Sequence, residues 1–389
     1  MDSKQERCNM RAIINGKIVL PDRVVEDACL LFDKKIIGLS AKDALPIEVE
    51  TIDARGQLVI PGLVDMHIHG YLGEDASDGR LDGLITMARG VAVNGVTAFL
   101  PTTMTVSYDE LRAAFAQIRT AMQLSSAADW QGAQILGVNA EGPFINPSKK
   151  GAQAGENIRV GDPDFLKAYL DIIRVFTIAP EMPGNMDCVR EMAGKCLISI
   201  GHTGANYDQA IAAFDAGVRH VTHLFNAQTP LLHRDPGVVG AALTDDRVSC
   251  ELIADTFHVH RRLFPLVTRM KDDNLVLITD CTRAGGLADG EYTLGGQPIF
   301  VKGIECRLAD GTIAGSVLKL NEAVRNLLDN TDWPVWRAVN AASLTPARRI
   351  GVSDHKGSLE AGKDADIAIC DERFNISRTI LGGRDIYIV

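Results

Sequence analysis

The chain has 389 residues, 46% hydrophobic and 23% charged, the balance of a soluble globular protein with a substantial core. Acidic residues outnumber basic ones by 50 to 40, and the net charge of −10 argues against a nucleic-acid or anionic-membrane partner and leaves any anionic substrate to be gripped by local cations. No apolar run is long enough to span a bilayer, and eight cysteines are scattered without a Cys-x-x-Cys pair, as expected of reduced thiols in a cytoplasmic protein.

The first seven residues are polar and lack the apolar centre of a signal peptide. Short strands follow. Arg11 to Leu20 carries Asn15-Gly16 between apolar runs, a hairpin signal, and Cys29–Phe32, Ile36–Leu39 and Leu58–Ile60 are further strand candidates. From Gly62 the pattern changes to apolar runs alternating with helical stretches. Eight such runs begin at Leu63, Thr97, Ile135, Val175, Leu197, His220, Cys250 and Leu275. Between them, one helix is expected from Leu81, burying Leu84, Ile85, Ala88, Val91 and Ala92. Another spans Tyr108 to Met122, with Ser107 and Glu110 as its capping box. Eight continuous apolar strands separated by helices predict a closed α/β (β/α)₈ TIM barrel, a fold that needs about 250 residues. Tyr292 to Gly315 reads as an insertion after the eighth strand, and from Gly351 the chain returns to strands. The expected organisation is a barrel over 62–350 and one small β-sandwich domain built from both ends, 1–61 and 351–389.

Barrel enzymes carry their chemistry at the C-terminal strand ends. The first strand ends in Asp65-Met66-His67-Ile68-His69, where two imidazoles at i and i+2 share a face. The third ends in Glu141, the fifth in Gly201-His202-Thr203, the sixth carries His223, and the eighth ends in Asp280. Four of nine histidines therefore fall at strand ends together with two carboxylates, the donor types that bind zinc and other divalent transition metals. Asp280 reads as a general base and acid beside such an ion, or as a ligand to it, and the two roles are compatible. Cys281 has no histidine beside it and reads as packing.

Pro61-Gly62-Leu63-Val64-Asp65-Met66-His67-Ile68-His69-Gly70 and the tail Gly362-Lys363-Asp364-Ala365-Asp366 resemble motifs of the amidohydrolase superfamily. Many members bridge two metals with a strand-four lysine. Here that strand reads Arg174-Val175-Phe176-Thr177-Ile178-Ala179-Pro180, and Glu141 takes the anchoring place. This feature resembles the N-acetylglucosamine-6-phosphate deacetylase family. So do Glu141-Gly142-Pro143-Phe144, Lys149-Lys150-Gly151-Ala152-Gln153, Thr222-His223-Leu224-Phe225-Asn226-Ala227, Arg234-Asp235-Pro236-Gly237, Ala254-Asp255-Thr256-Phe257-His258-Val259 and Ile313-Ala314-Gly315-Ser316, in that order along the chain.

The resemblance implies metal-dependent removal of acetate from N-acetylglucosamine 6-phosphate. It implies that Glu141, His202 and His223 hold the principal metal, with His67 and His69 available for a second, so one or two ions per subunit. Zn²⁺ is the expected ion, with Fe²⁺ and Mn²⁺ as alternatives. It gives Asp280 the acid-base role, and His258 the polarising of the acetyl carbonyl or another substrate contact. Asp255, Thr256, Phe257, Asn226, Ala227, Ala152, Gln153, Ile313, Ala314 and Gly315 are expected around the sugar. Arg234 is expected to bind the 6-phosphate from the neighbouring subunit of a homodimer. The galactosamine epimer as substrate, a cyclic-amide or deaminase activity and a non-catalytic scaffold are the competing readings. The absent strand-four lysine and Arg234 count against the second, and the complete ligand set against the third.

Overall fold

The computed structural model describes residues 10–46 and 48–389. The polar N-terminal stretch lies outside them. Eight parallel strands run in sequence order around a barrel: β1 (Leu63–Ile68), β2 (Val96–Thr103), β3 (Val138–Glu141), β4 (Ile173–Ile178), β5 (Leu197–Ile200), β6 (His220–Val221), β7 (Ser249–Ile253) and β8 (Leu275–Ile278). Nearly every residue in them is buried, because helices cover the outside and side chains fill the inside. The seam between β8 and β1 is closed just past the end of β8. Asp280 N–H donates to the His67 carbonyl at 2.9 Å, and Ile68 and Cys281 form a parallel bridge. The Asp65 side chain reinforces it, accepting from Thr279 Oγ1 at 2.6 Å. Burial pushes the Asp65 carboxyl up to about 7 even against that hydrogen bond. Cys281 is therefore part of the closure, and burial raises its thiol well above the usual range, as its reading as packing requires.

The helices follow the apolar periodicity. Tyr108–Ser125 begins with the Ser107/Glu110 capping box, and it buries Leu111, Ala114, Phe115 and Ile118. Leu81–Ala92 buries Leu84, Ala88, Val91 and Ala92, but Met87 goes inside where Ile85 was expected, and Ile85 is half-buried. Gly290–Leu294, Gln297–Lys302 and Glu305–Leu308 form the antiparallel insertion after β8.

The ends of the chain form two sheets and interleave in one of them. Arg11–Ile14 lies in a four-stranded sheet with Cys29–Phe32, Ile36–Ser40 and Glu50–Asp53. Lys17–Val19 lies in a different, six-stranded sheet, next to Leu58–Pro61, which pairs in turn with Ile367–Cys370. Asn15-Gly16 is thus a crossing between sheets and not a hairpin. Asn15 takes a left-handed φ of 54° to make the step, and a Cβ on Gly16 would sit 2.5 Å from Val59 Cγ2. Ile13, Phe32, Val59, Ile367 and Ile369 fill the space between the sheets.

The tail motif ties this sandwich to the barrel. Asp366 accepts from the Gly382 amide through Oδ1 at 2.9 Å, and its carbonyl accepts from Gly62 N–H at 2.8 Å, one residue before β1. Its Oδ2 pairs with buried Lys356 Nζ at 2.7 Å, and Asp364 pairs with the same ammonium at 3.1 Å. Burial opposes the Lys356 charge, but the two carboxylates outweigh it and raise its pKa. Removing one partner of a buried pair strands the other charge, at a cost of about 3 kcal/mol. Lys356→Met should lower the unfolding free energy by roughly that amount, read as a drop in urea midpoint.

Candidate active site

β1, β3, β5, β6 and β8 deliver their terminal residues to one rim. Four imidazoles and two carboxylates meet there. His202 Nε2 and His223 Nε2 lie 3.1 and 3.0 Å from Glu141 Oε1, and 3.1 Å from each other. His67 Nε2 and His69 Nε2 lie 3.4 and 3.2 Å from Asp280 Oδ1, and 3.4 Å from each other. Glu141 joins the two groups. Its Oε1 is 3.6 Å from His67 Nε2 and its Oε2 is 3.2 Å from His69 Nε2.

The backbone is bent to achieve this. β6 stops at Val221, two residues short of His223, where a longer strand was expected. His223, His202 and Asp280 all adopt left-handed conformations, with φ of 29°, 46° and 49°. Such geometry costs a non-glycine residue roughly 1–2 kcal/mol, and it aims each side chain inward from the end of its strand. Gly201, before His202, lets β5 and β6 approach closely, since a Cβ there would meet Thr222 Cβ at 2.7 Å.

The hydrogen bonds behind the rings fix their tautomers. Each Nδ1 faces an acceptor: Glu251 Oε2 for His67 at 3.0 Å, Thr102 O for His69 at 3.1 Å, Lys149 O for His202 at 2.9 Å, and Asn226 O for His223 at 3.1 Å. None of these oxygens carries a proton, so each Nδ1 donates, and Nε2 is the atom left on each ring to face its neighbour and to take up a cation, whether a proton or a metal ion. Lone pairs facing each other at 3.1 to 3.4 Å repel unless a cation lies between them. Two nitrogens bound to one tetrahedral zinc at 2.0–2.1 Å would stand about 3.3 Å apart, so the spacing fits. The electrostatics agree. Burial pulls the His67 pKa down, but Glu251, Glu141 and Asp280 outweigh it and raise it to about 9. His69 is raised well above its usual value by Asp280 and Glu141, again against burial. The carboxylates draw positive charge into a buried pocket, and a divalent ion supplies it with fewer particles than protons do. The donor set therefore fits a metal centre with two groups, Glu141-His202-His223 and His67-His69-Asp280.

Above this centre lies a cavity of about 360 Å³. Of the residues expected around a substrate, Ala152, Gln153, Asn226, Ala227, His258, Ile313 and Gly315 line it. Ala314 is fully buried behind its neighbours. Asp255 faces His258 instead: its Oδ2 accepts from His258 Nδ1 at 2.6 Å, and its Oδ1 accepts from the Phe257 and His258 amides. This turns His258 Nε2 to the cavity. Thr256 and Phe257 are not among the lining residues. Arg234 stands exposed on the loop beyond β6, also outside the lining, with Nη1 2.6 Å from His233 Nε2.

Gln153 does more than line the wall. Its Oε1 accepts from Thr105 N–H at 2.6 Å, which fixes the amide orientation, and its Nε2 donates to Glu141 Oε2 at 2.6 Å. Sequence reasoning missed Met104, Ser148, Lys149, Gly151, Leu294 and Thr312 in the lining. It also missed Glu251, although a lone charge inside a strand read as fully buried signals a partner.

A model of the amidohydrolase family matches residues 58–386. The chain is 36% identical over 379 residues to the N-acetylglucosamine-6-phosphate deacetylase of Bacillus subtilis (strain 168), covering 95% of this chain and 96% of that one. It is 37% identical over 351 residues to the N-acetylgalactosamine-6-phosphate deacetylase of Escherichia coli O157:H7, covering 89% and 92%. Its fold matches the crystal structure of N-acetylglucosamine-6-phosphate deacetylase from Pasteurella multocida with a TM-score of 0.91 and 29% identity, over 97% of this chain and 99% of that one.

Alanine at Glu141, His202 or His223 should remove bound metal and hydrolytic activity together, measured by elemental analysis of the folded variants. A His202→Ala protein with full metal content would refute the ligand set.

Proposed function

The chain belongs to the amidohydrolase family, and from that premise we propose that it hydrolyses N-acetyl-D-glucosamine 6-phosphate to D-glucosamine 6-phosphate and acetate. The observation that carries the reading is the paired His-carboxylate centre sharing Glu141 at the floor of a 360 Å³ cavity, in a chain similar along nearly its whole length to deacetylases of this substrate.

An amide is a weak electrophile and an amine a poor leaving group. Glu141, His202 and His223 would hold a divalent cation, which when bound would acidify water and polarise a carbonyl. Zn²⁺ is our assignment from the mixed nitrogen and oxygen donors, and His67, His69 and Asp280 make room for a second ion. Asp280 accepts the proton of the attacking water and returns it to the departing amine. Its Oδ1 faces His67 and His69, which leaves Oδ2 for that transfer. His258, oriented by Asp255 through its Nδ1 proton, faces the acetyl carbonyl and, as the doubly protonated imidazolium, donates from Nε2 to the developing oxyanion. Asn226, Ala227, Ala152, Ile313 and Gly315 enclose the sugar, while Gln153 contributes through its hold on Glu141.

Arg234 binds the 6-phosphate, and it does so in the cavity of the neighbouring subunit of a homodimer. Two features support this. Its side chain stands clear of its own chain's cavity, and Leu231 and Leu232 beside it expose 46% and 53% of their surface, as an interface loop would. Lys149 is the one Lys or Arg among the described residues lining the cavity, so a phosphate gains from a second cation. We assign catalysis to a barrel domain over 62–350, with 1–61 and 351–389 as the small domain, and the cytoplasm as location, because a phosphorylated sugar does not cross an apolar bilayer unaided. The galactosamine epimer is the second reading, favoured by the 37% identical relative that acts on it. Acetate release from the two epimers in parallel decides between them.

Asp280→Asn should lower kcat at least about 100-fold, the usual contribution of a general acid-base group, and a variant retaining a tenth of kcat would remove that role. Arg234→Ala should cost roughly 1.5–3 kcal/mol in kcat/KM on the sugar phosphate and much less on the unphosphorylated N-acetyl sugar. Hybrid dimers of Arg234→Ala and Asp280→Asn subunits should regain one working site, and no recovery would exclude a shared site.

A further inference from the structure

Glu251 sits in β7 with its carboxylate fully buried inside the barrel, below the metal-facing rings. A charge there needs partners on every side, and it has them. Oε1 accepts from His220 Nε2 at 3.1 Å, while Oε2 accepts from His67 Nδ1 at 3.0 Å and from the His223 backbone N–H at 2.9 Å. His220 is itself fixed by Ser249 Oγ, 2.6 Å from its Nδ1. One carboxylate therefore reaches a residue of each candidate metal group, but in different ways. In the Glu141-His202-His223 group both imidazoles are held through Nδ1 by backbone carbonyls, of Lys149 and Asn226. Those oxygens stay in place whatever Glu251 becomes. Of the four rings, His67 alone is held through Nδ1 by an ionised side chain.

An acceptor behind a ligating imidazole sets its tautomer, its orientation and its basicity, and an anionic acceptor raises the basicity most. We infer that Glu251 is the positioning residue that makes His67-His69-Asp280 a second cation site, by holding the His67 proton on Nδ1 and its lone pair towards Asp280. The inference rests on the reading of the two groups as a metal centre. The sixth and seventh strands thereby enter the site from beneath, through a chain of contacts from Ser249 through His220 and Glu251 to His67.

Glu251→Gln tests it with the volume retained. The amide oxygen can still face His67 and the His223 amide, and the amide nitrogen can donate to His220 in its other tautomer. The anionic acceptor is lost. Zn²⁺ and Co²⁺ binding would be titrated on the metal-stripped proteins, counting ions per chain and following the Co²⁺ absorption spectrum. The expected result is a first ion bound as in the original protein and a second bound about 10- to 100-fold more weakly, with the spectrum changed only in the second equivalent. A second ion of unchanged affinity overturns the inference, as does equal weakening of both ions, which would make Glu251 a general support of the barrel. An original protein that takes one ion overturns it too, while leaving the deacetylase reading intact. One that takes no ion removes the metal centre itself. Should Glu251→Gln fail to fold, His220→Gln, which withdraws the ring from Glu251 Oε1, is expected to weaken the second ion selectively in milder form, and equal weakening of both ions there overturns the inference as well.

Discussion

One carboxylate organises the site. Glu141 places Oε1 between His202 and His223 and Oε2 towards His69, so two groups of potential ligands become a single centre about one side chain. These residues are far apart in the chain and come from different strands. Only a closed cylinder brings the ends of β1, β3, β5, β6 and β8 to a common point. The seam at Asp65, Thr279 and Cys281 therefore matters to the chemistry as much as to the fold, because it holds His67 and Asp280 in register across the last gap.

The convergence has opposing terms. Left-handed backbone at His202, His223 and Asp280 is unfavourable, and so are imidazole lone pairs directed at one another. The barrel sustains both because its strands are buried almost throughout and its rim residues are anchored from behind. Gln153 anchors Glu141, Asp255 anchors His258, and carbonyls or a carboxylate anchor the four rings. Strain gathers at the functional rim while the favourable packing lies below it, the distribution expected where ligand geometry is enforced before the ligand arrives.

Much of this was legible from the sequence because the signals are local. Apolar runs at regular intervals gave the strands, and polar residues following each run gave the rim. The capping box at Ser107 and Glu110 is a four-residue pattern and is found where it was read. What could not be read depends on partners distant in sequence. Asn15-Gly16 has the composition of a hairpin turn, but Arg11–Ile14 and Lys17–Val19 find better partners in two separate sheets, and tertiary pairing overrides the local preference. His223 was read as part of β6, yet the chain leaves the strand at Val221 to aim the ring. Gln153 looked like a wall residue, and its grip on Glu141 appears only once Thr105 supplies a donor to its oxygen. Among the residues expected around the substrate, Asp255 turns its carboxylate to His258 and does not line the cavity.

The pairing of Leu58–Pro61 with Ile367–Cys370 bears on how the molecule is made. About 300 residues separate these strands, so at 5–20 residues per second the ribosome needs roughly 15–60 s to travel from one to the other. During that interval the early strands present an unpaired edge and an uncovered apolar face, the features that invite aggregation. The barrel between them can begin to assemble meanwhile, since each of its strands pairs with the one made just before. The six-stranded sheet closes last, and its closure joins Leu58–Pro61 to Ile367–Cys370, with Gly62 bonded to Asp366 at the threshold of the barrel. A nascent chain stalled between Asp280 and Ile367 would thus carry all six rim groups on a molecule whose strand Leu58–Pro61 still awaits its partner, and it would be such a chain, more than the finished protein, that engages the cell's chaperones.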